Sequence, residues 1–172
     1  MNKKFLVLIF LVLSMASCSG KKTELAKSKF REANKAFTEQ DFDKALALFD
    51  ECIKLDNSLP GPYFNRANCY IVKEDYGRAI EDLTKYIELK PNHSNAYFSR
   101  GLAYHFTDEP ELAISDYTRA ITLKPDYSDA IFNRGMEYFK KNDTIRACAD
   151  LNSALNLGYT LAQDMIDEAC KN

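Results

Sequence analysis

The chain has 172 residues, 46% of them hydrophobic and 28% charged, with 23 basic and 25 acidic side chains and a formal net charge of −2. This is the composition of an ordinary folded domain, and it excludes a chiefly disordered chain. The slightly acidic balance also excludes a broad electrostatic footprint for nucleic acid or for anionic lipid head groups.

The first residues, MNKKFLVLIF LVLSMASCSG, set Lys3 and Lys4 before an apolar run from Phe5 to Leu13, followed by small residues up to Cys18. A charged start, a short apolar core and a small-residue end make a secretory signal. The apolar run is well short of the roughly 20 residues that cross a bilayer, so a cleaved signal is expected over its alternative, a permanent anchor. Met15-Ala16-Ser17-Cys18 resembles the lipobox of bacterial lipoproteins, with Met15 where leucine is usual. The resemblance implies cleavage after residue 17, a lipid on Cys18 and membrane attachment through it; an ordinary signal peptide cut nearby is the alternative. Ser19 is not the aspartate that, by the same resemblance, retains lipoproteins in the inner membrane, so an outer membrane facing the periplasm is expected. Residues 18–25 then form the lipidated N-terminus and a short polar tether, and cleavage leaves 21 basic against 25 acidic side chains.

Three segments, PGPYFNRANCY, SNAYFSRGLAY and SDAIFNRGMEY, begin at Pro60, Ser94 and Ser128, a spacing of 34 residues, and a fainter copy begins at Ala26. Counted from these starts, small residues recur at the eighth position (Ala33, Ala67, Gly101, Gly135) and the twentieth (Ala45, Ala79, Ala113, Ala147). These suit places where two helices touch closely. Large residues recur at the twenty-fourth, as Phe49, Leu83, Tyr117 and Leu151. AIEDLTKYIEL and AISDYTRAITL carry apolar residues at three- and four-residue spacing, the stripe of an amphipathic helix. Asp41, Asp75 and Asp143 stand where they can cap the second helix of a pair, and Pro110 where a first helical residue tolerates proline. Arg66, Arg100 and Arg134 at the seventh position face Asp82, Asp116 and Asp150 at the twenty-third, an expected charge pair inside each repeat. After a turn at Gly158, TLAQDMIDEAC reads as a closing amphipathic helix.

At that length and with those offsets the pattern resembles the tetratricopeptide repeat, over residues 26–161. The resemblance implies an all-α, right-handed superhelical solenoid of four helix-turn-helix repeats, 26–59, 60–93, 94–127 and 128–161, closed by a capping helix at 162–172. Each hairpin must stack on the next to bury its stripe. The resemblance further implies that the fifth, ninth and twelfth positions of each first helix face a concave groove. Phe30, Phe64, Phe98 and Phe132 hold the fifth; Asn34, Asn68, Leu102 and Met136 the ninth; and Phe37, Ile71, His105 and Phe139 the twelfth. Two readings of the phenylalanines stand open, helix packing and partner contact, and exposed apolar stripes generally mark interaction sites. Asn34 and Asn65 match asparagines of the groove that, in this family, clamps a peptide's terminal carboxylate. Phe30, Asn95 and Ser99 stand where its cations would be, so an apolar segment, with Asn34 and Asn68 bonding its backbone, suits this groove better.

His93 and His105 are too far apart in the chain to form a metal-ligand motif, and no phosphate-binding glycine loop or catalytic constellation appears. No enzyme activity, metal or cofactor is expected. Cys148 begins the second helix of the fourth repeat and Cys170 ends the closing helix, so the two stand level in an antiparallel hairpin and a disulfide between them is expected in an oxidising compartment. Cys52 and Cys69 are expected as free thiols. The function these readings support is a membrane-anchored adaptor that binds a protein or peptide partner in its groove, with no nucleic acid involved. The alternatives are a permanent subunit of an envelope assembly machine, serving β-barrel assembly or pilus biogenesis, and an accessory to a peptidoglycan hydrolase.

Overall fold

In the computed structural model, residues 3–170 are described, with side chains from Gly20 onward. The signal sequence and the Cys18 side chain therefore lie outside the described side chains. Among the described residues there are nine helices and no strand: α1 (Lys3–Thr38), α2 (Phe42–Leu55), α3 (Pro60–Val72), α4 (Tyr76–Leu89), α5 (Ser94–Phe106), α6 (Pro110–Leu123), α7 (Ser128–Lys140), α8 (Thr144–Asn156) and α9 (Ala162–Ala169). The chain divides into two compact bodies, residues 1–69 and 70–172.

Within each repeat the two helices are joined by the same turn. Gln40, Glu74, Asp108 and Asn142, at the fifteenth position of each repeat, have φ of 57–62°. The amide of the following residue bonds the carbonyl five residues back, Asp41 to Ala36, Asp75 to Tyr70, Glu109 to Tyr104 and Asp143 to Tyr138, at 2.8–2.9 Å. This is the Schellman closure of a helix, here made without the glycine that usually supplies the left-handed residue. The next helix is then started by a carboxylate: Asp41, Asp75 and Asp143 accept from the amides of Lys44, Arg78 and Arg146. Asp75 and Asp143 also bind the side chains of Arg78 and Arg146, which hold both carboxyls below their usual range. In the third repeat Pro110 stands at the start of α6 instead.

In the N-terminal body, α1 and α2 pair around Ala33, Ala36, Ala45, Leu48, Phe49 and Cys69, with Phe30, Phe37, Phe42 and Leu46 against them. Residues 20–25, expected as a tether, instead continue α1, and the Thr23 hydroxyl donates to Asp56 at the end of α2 at 2.9 Å. The physical reason is that Lys21, Lys22, Glu24 and Leu25 are good helix formers with no proline among them, and a helix already nucleated at Ala26 extends cheaply into such a sequence.

In the C-terminal body the small eighth position fits a large ring. A β-carbon on Gly101 would stand 2.8 Å from Cε1 of the fully buried Tyr117 and 3.3 Å from the Ala113 carbonyl, so the ring occupies the space that an alanine would need. Around Ile131, Leu151 and Ala154, α9 adds the buried Ala162 and Ala169 with Met165 and Ile166 alongside, and so covers the last repeat. Cys148 and Cys170 are bridged, with their α-carbons 5.8 Å apart. Cys52 and Cys69 are buried and free, and burial pushes both thiols up to about 11.

The arginines hold more than their own repeat. Arg100 makes two bonds to Asp116, at 2.7 and 2.9 Å, and a third to the Thr84 hydroxyl at 3.0 Å. Arg134 repeats this with Asp150, at 2.7 and 2.9 Å, and with Thr118 at 3.1 Å. In the N-terminal body Arg66 reaches Asp50, which stands where Thr84 and Thr118 do, at 2.5 Å. The seventh-position arginine thus staples a repeat to the one before it, which the pairing expected within one repeat did not include. The carboxylate partners hold the Arg100 and Arg134 guanidinium groups more firmly protonated than usual.

Candidate functional site

Positions five, nine and twelve are four and three residues apart, so each first helix presents them on one face. All of Phe30, Asn34, Phe64, Asn68, Phe98, Leu102, His105, Phe132, Met136 and Phe139 are half-buried, neither sealed in a core nor free in solvent. In the N-terminal body the Phe30 ring leans on Phe49, centroids 6.1 Å apart, and lies over Gly61, where a β-carbon would meet Cζ at 2.7 Å. The side-chain amide of Asn65 donates to Asn34 at 2.6 Å, so the Asn34 oxygen is already engaged and its amide nitrogen is what it can offer a ligand.

In the C-terminal body Phe98 packs on Tyr127 and Tyr117, at 5.0 and 5.9 Å between centroids. Phe132 stacks on Tyr159 at 4.5 Å. Phe132, Met136 and Phe139 all rest on the Ile131–Leu151 cluster. Each of these residues therefore has one side supported by the core and part of its surface open, so support and contact are compatible. Replacing Phe98 or Phe132 by alanine should weaken partner binding by about 1–3 kcal/mol each. Because the rings are half-buried, folding stability should fall by less than the roughly 3–5 kcal/mol typical of a sealed phenylalanine. Denaturation curves and partner binding, measured on the same variants, check this; a full core-sized loss with unchanged binding would contradict it.

His105 has a partner that was not foreseen. Its Nδ1 bonds the carboxylate of Glu137, which is 1% exposed, and Lys140 lies 3.9 Å from the same oxygen. Glu137 occupies the tenth position, where Cys69 and Ala103 are fully buried in their repeats. In the first repeat the same position is the exposed Lys35, so the sequence alone does not mark Glu137 as buried. The Tyr117 hydroxyl is buried without a hydrogen-bond partner among the described residues, and its burial, with the Glu137 charge nearby, pushes its ionisation well above the usual tyrosine range. No group of three or more metal-ligating side chains occurs among the described residues. A polar cleft in the N-terminal body, lined by Lys22, Thr23, Asp56, Ser58 and Tyr63, has its carboxylate already engaged, since Asp56 accepts from Thr23 and Ser58.

Family models described as tetratricopeptide repeat match residues 60–93 and 94–127. A search of curated protein sequences found no match. Among solved structures, the chain is similar to MamA, with 24% identity, 88% of each chain covered and a TM-score of 0.76. It is also similar to the first repeat domain of Spaghetti (RPAP3) bound to an HSP90 peptide, SRMEEVD, with 24% identity, 69% of this chain and 94% of that one covered, and a TM-score of 0.66. A third is the Arabidopsis OM64 repeat domain, with 24% identity, 67% and 96% covered and a TM-score of 0.65. Similarity at this identity concerns the fold, and the sequence match concerns the two central repeats. Together they show two tetratricopeptide repeats at residues 60–127 and the helical solenoid fold of that repeat, with a further helix at its C-terminal end.

Proposed function

We propose that the chain is an adaptor that binds a protein partner through the half-buried aromatic and apolar face of its first helices, and that a lipid on Cys18 tethers it to the cell envelope. The observation that carries the binding reading is the recurrence of phenylalanine at the fifth position of all four repeats, half-buried in each. A ring kept partly open in every repeat offers apolar surface whose burial favours association. The RPAP3 domain bound to its HSP90 peptide supports peptide binding on this fold. The partner here differs in kind, because Phe30, Asn95 and Ser99 lack the cations of a terminal-carboxylate clamp. An extended or helical apolar segment, with Asn68 and the free amide of Asn34 bonding its backbone, fits the side chains better.

The anchor rests on Lys3, Lys4, the apolar run and the small residues before Cys18. Ser19 after the cysteine supports delivery to an outer membrane. Helix α1 would then lead from the lipid directly into the first repeat. Cys18→Ser should move the protein from the membrane to a soluble envelope fraction and remove an acyl mass from its N-terminal peptide. Continued partition of the variant with detergent-extracted membranes, together with no acyl mass on the wild type, would overturn the anchor.

A further inference from the structure

Glu137 is a buried carboxylate on the first helix of the fourth repeat. Its side chain is 1% exposed, that of His105 is 26% exposed, and that of Lys140 is 48% exposed. The three are held together: His105 Nδ1 bonds Glu137, and the Lys140 ammonium lies 3.4 Å from that ring nitrogen and 3.9 Å from the carboxylate. The negative charge is thus at the floor, with the two basic groups above it. A buried carboxylate without partners is strongly destabilising, so Glu137 fixes where the imidazole and the ammonium stand. What approaches from solvent meets the ammonium and the edge of the ring, not the carboxylate that holds them. Neighbouring Glu111 does not cancel this, because it is paired with Lys141. Leu102 and Met136, one turn back on the same two helices, are half-buried and apolar.

We propose that His105 and Lys140, positioned by Glu137, form an acid-reading subsite of the binding groove. It takes the side-chain carboxylate of an aspartate or glutamate within a partner segment whose adjacent apolar residues cover Leu102 and Met136. A hydrogen bond from the Lys140 ammonium to that carboxylate is about twice as strong as one between neutral groups, so this contact would set the register of an otherwise apolar segment. The inference rests on the groove reading above and adds to it the chemistry of the partner.

The test is panning of a random peptide library against the full chain, with each peptide joined to the coat protein through its C-terminus so that only side chains supply carboxylates. Wild-type protein should select peptides several-fold enriched in aspartate or glutamate next to apolar residues. Lys140→Glu, at an exposed position and checked for an unchanged thermal melt, should abolish the acidic preference and keep the apolar one. His105→Gln should weaken the acidic preference. Apolar peptides without acidic enrichment would overturn the subsite and leave the groove reading standing. Acidic enrichment that survives Lys140→Glu would also overturn it, by showing that the acid is read elsewhere. No enrichment over an empty support would overturn both the groove reading and the subsite.

Discussion

Asp116→Ala should lower folding stability by about 3 kcal/mol, the scale expected when one partner of a mostly buried ion pair is removed. The side chains of Arg100 and Asp116 are only 17% and 8% exposed, and Asp116 accepts two of the arginine's three hydrogen bonds. The variant leaves the guanidinium with the Thr84 hydroxyl and the Tyr97 and Tyr104 rings but no counter-charge, in a site that water reaches poorly. Arg100→Met with Asp116→Leu removes both charges and should recover most of the loss, because the two desolvated charges go together. Arg146→Ala provides the contrast: its pair with Asp143 leaves the arginine side chain 62% exposed, so the change should cost far less than Asp116→Ala. Urea denaturation checks the series, with hydrogen exchange across α5 and α6 locating the loss. Asp116→Ala within about 0.5 kcal/mol of wild type, the ordinary scatter of surface substitutions, would show that the staple is dispensable.

Replacing Cys148 and Cys170 together by alanine should cost about 3 kcal/mol, from the freedom restored to an unfolded loop of 22 residues. The loss should fall first on α9, because a repeat array frays from its ends and this helix covers the Ile131–Leu151 cluster. Peptide mapping of protein alkylated before reduction should recover the linked pair. It should also recover Cys52 and Cys69 unlinked and poorly alkylated in the folded state, because both are buried and their thiols are pushed up to about 11. Full alkylation of Cys148 and Cys170 with no linked peptide would show that packing alone holds the helix.

The repeat, the helix pairs and the caps were legible because they are carried by residue types with strong local consequences. A small residue at the eighth position, an aspartate before a second helix and a proline at the start of one each act within a few residues. The fit of Gly101 to Tyr117 was legible in outline from the small and large positions alone. What escaped were features that run between repeats or that lack the usual residue. Arg100 and Arg134 also reach Thr84 and Thr118, one repeat back, which no pattern within a single repeat exposes. The left-handed turn residues Gln40, Glu74, Asp108 and Asn142 hide because none is glycine. Glu137 is buried at the position where Cys69 and Ala103 are buried in their repeats, and no reading of the sequence singled it out. The segment 20–25 reads as polar, and polarity does not separate a tether from a solvated helix.

The central claim is that a partner is held on the face formed by the first helices, and a photo-cross-linking amino acid at position 102 tests it most directly in intact cells. Leu102 is half-buried on that face, whereas Ser115 is exposed on the second helix of the same repeat and serves as the control position. Irradiation should yield a discrete protein adduct from position 102 and none from position 115, with the adduct diminished when Phe98 is also replaced by alanine. Adducts from position 115 and none from position 102 would contradict the claim and place the partner on the opposite surface.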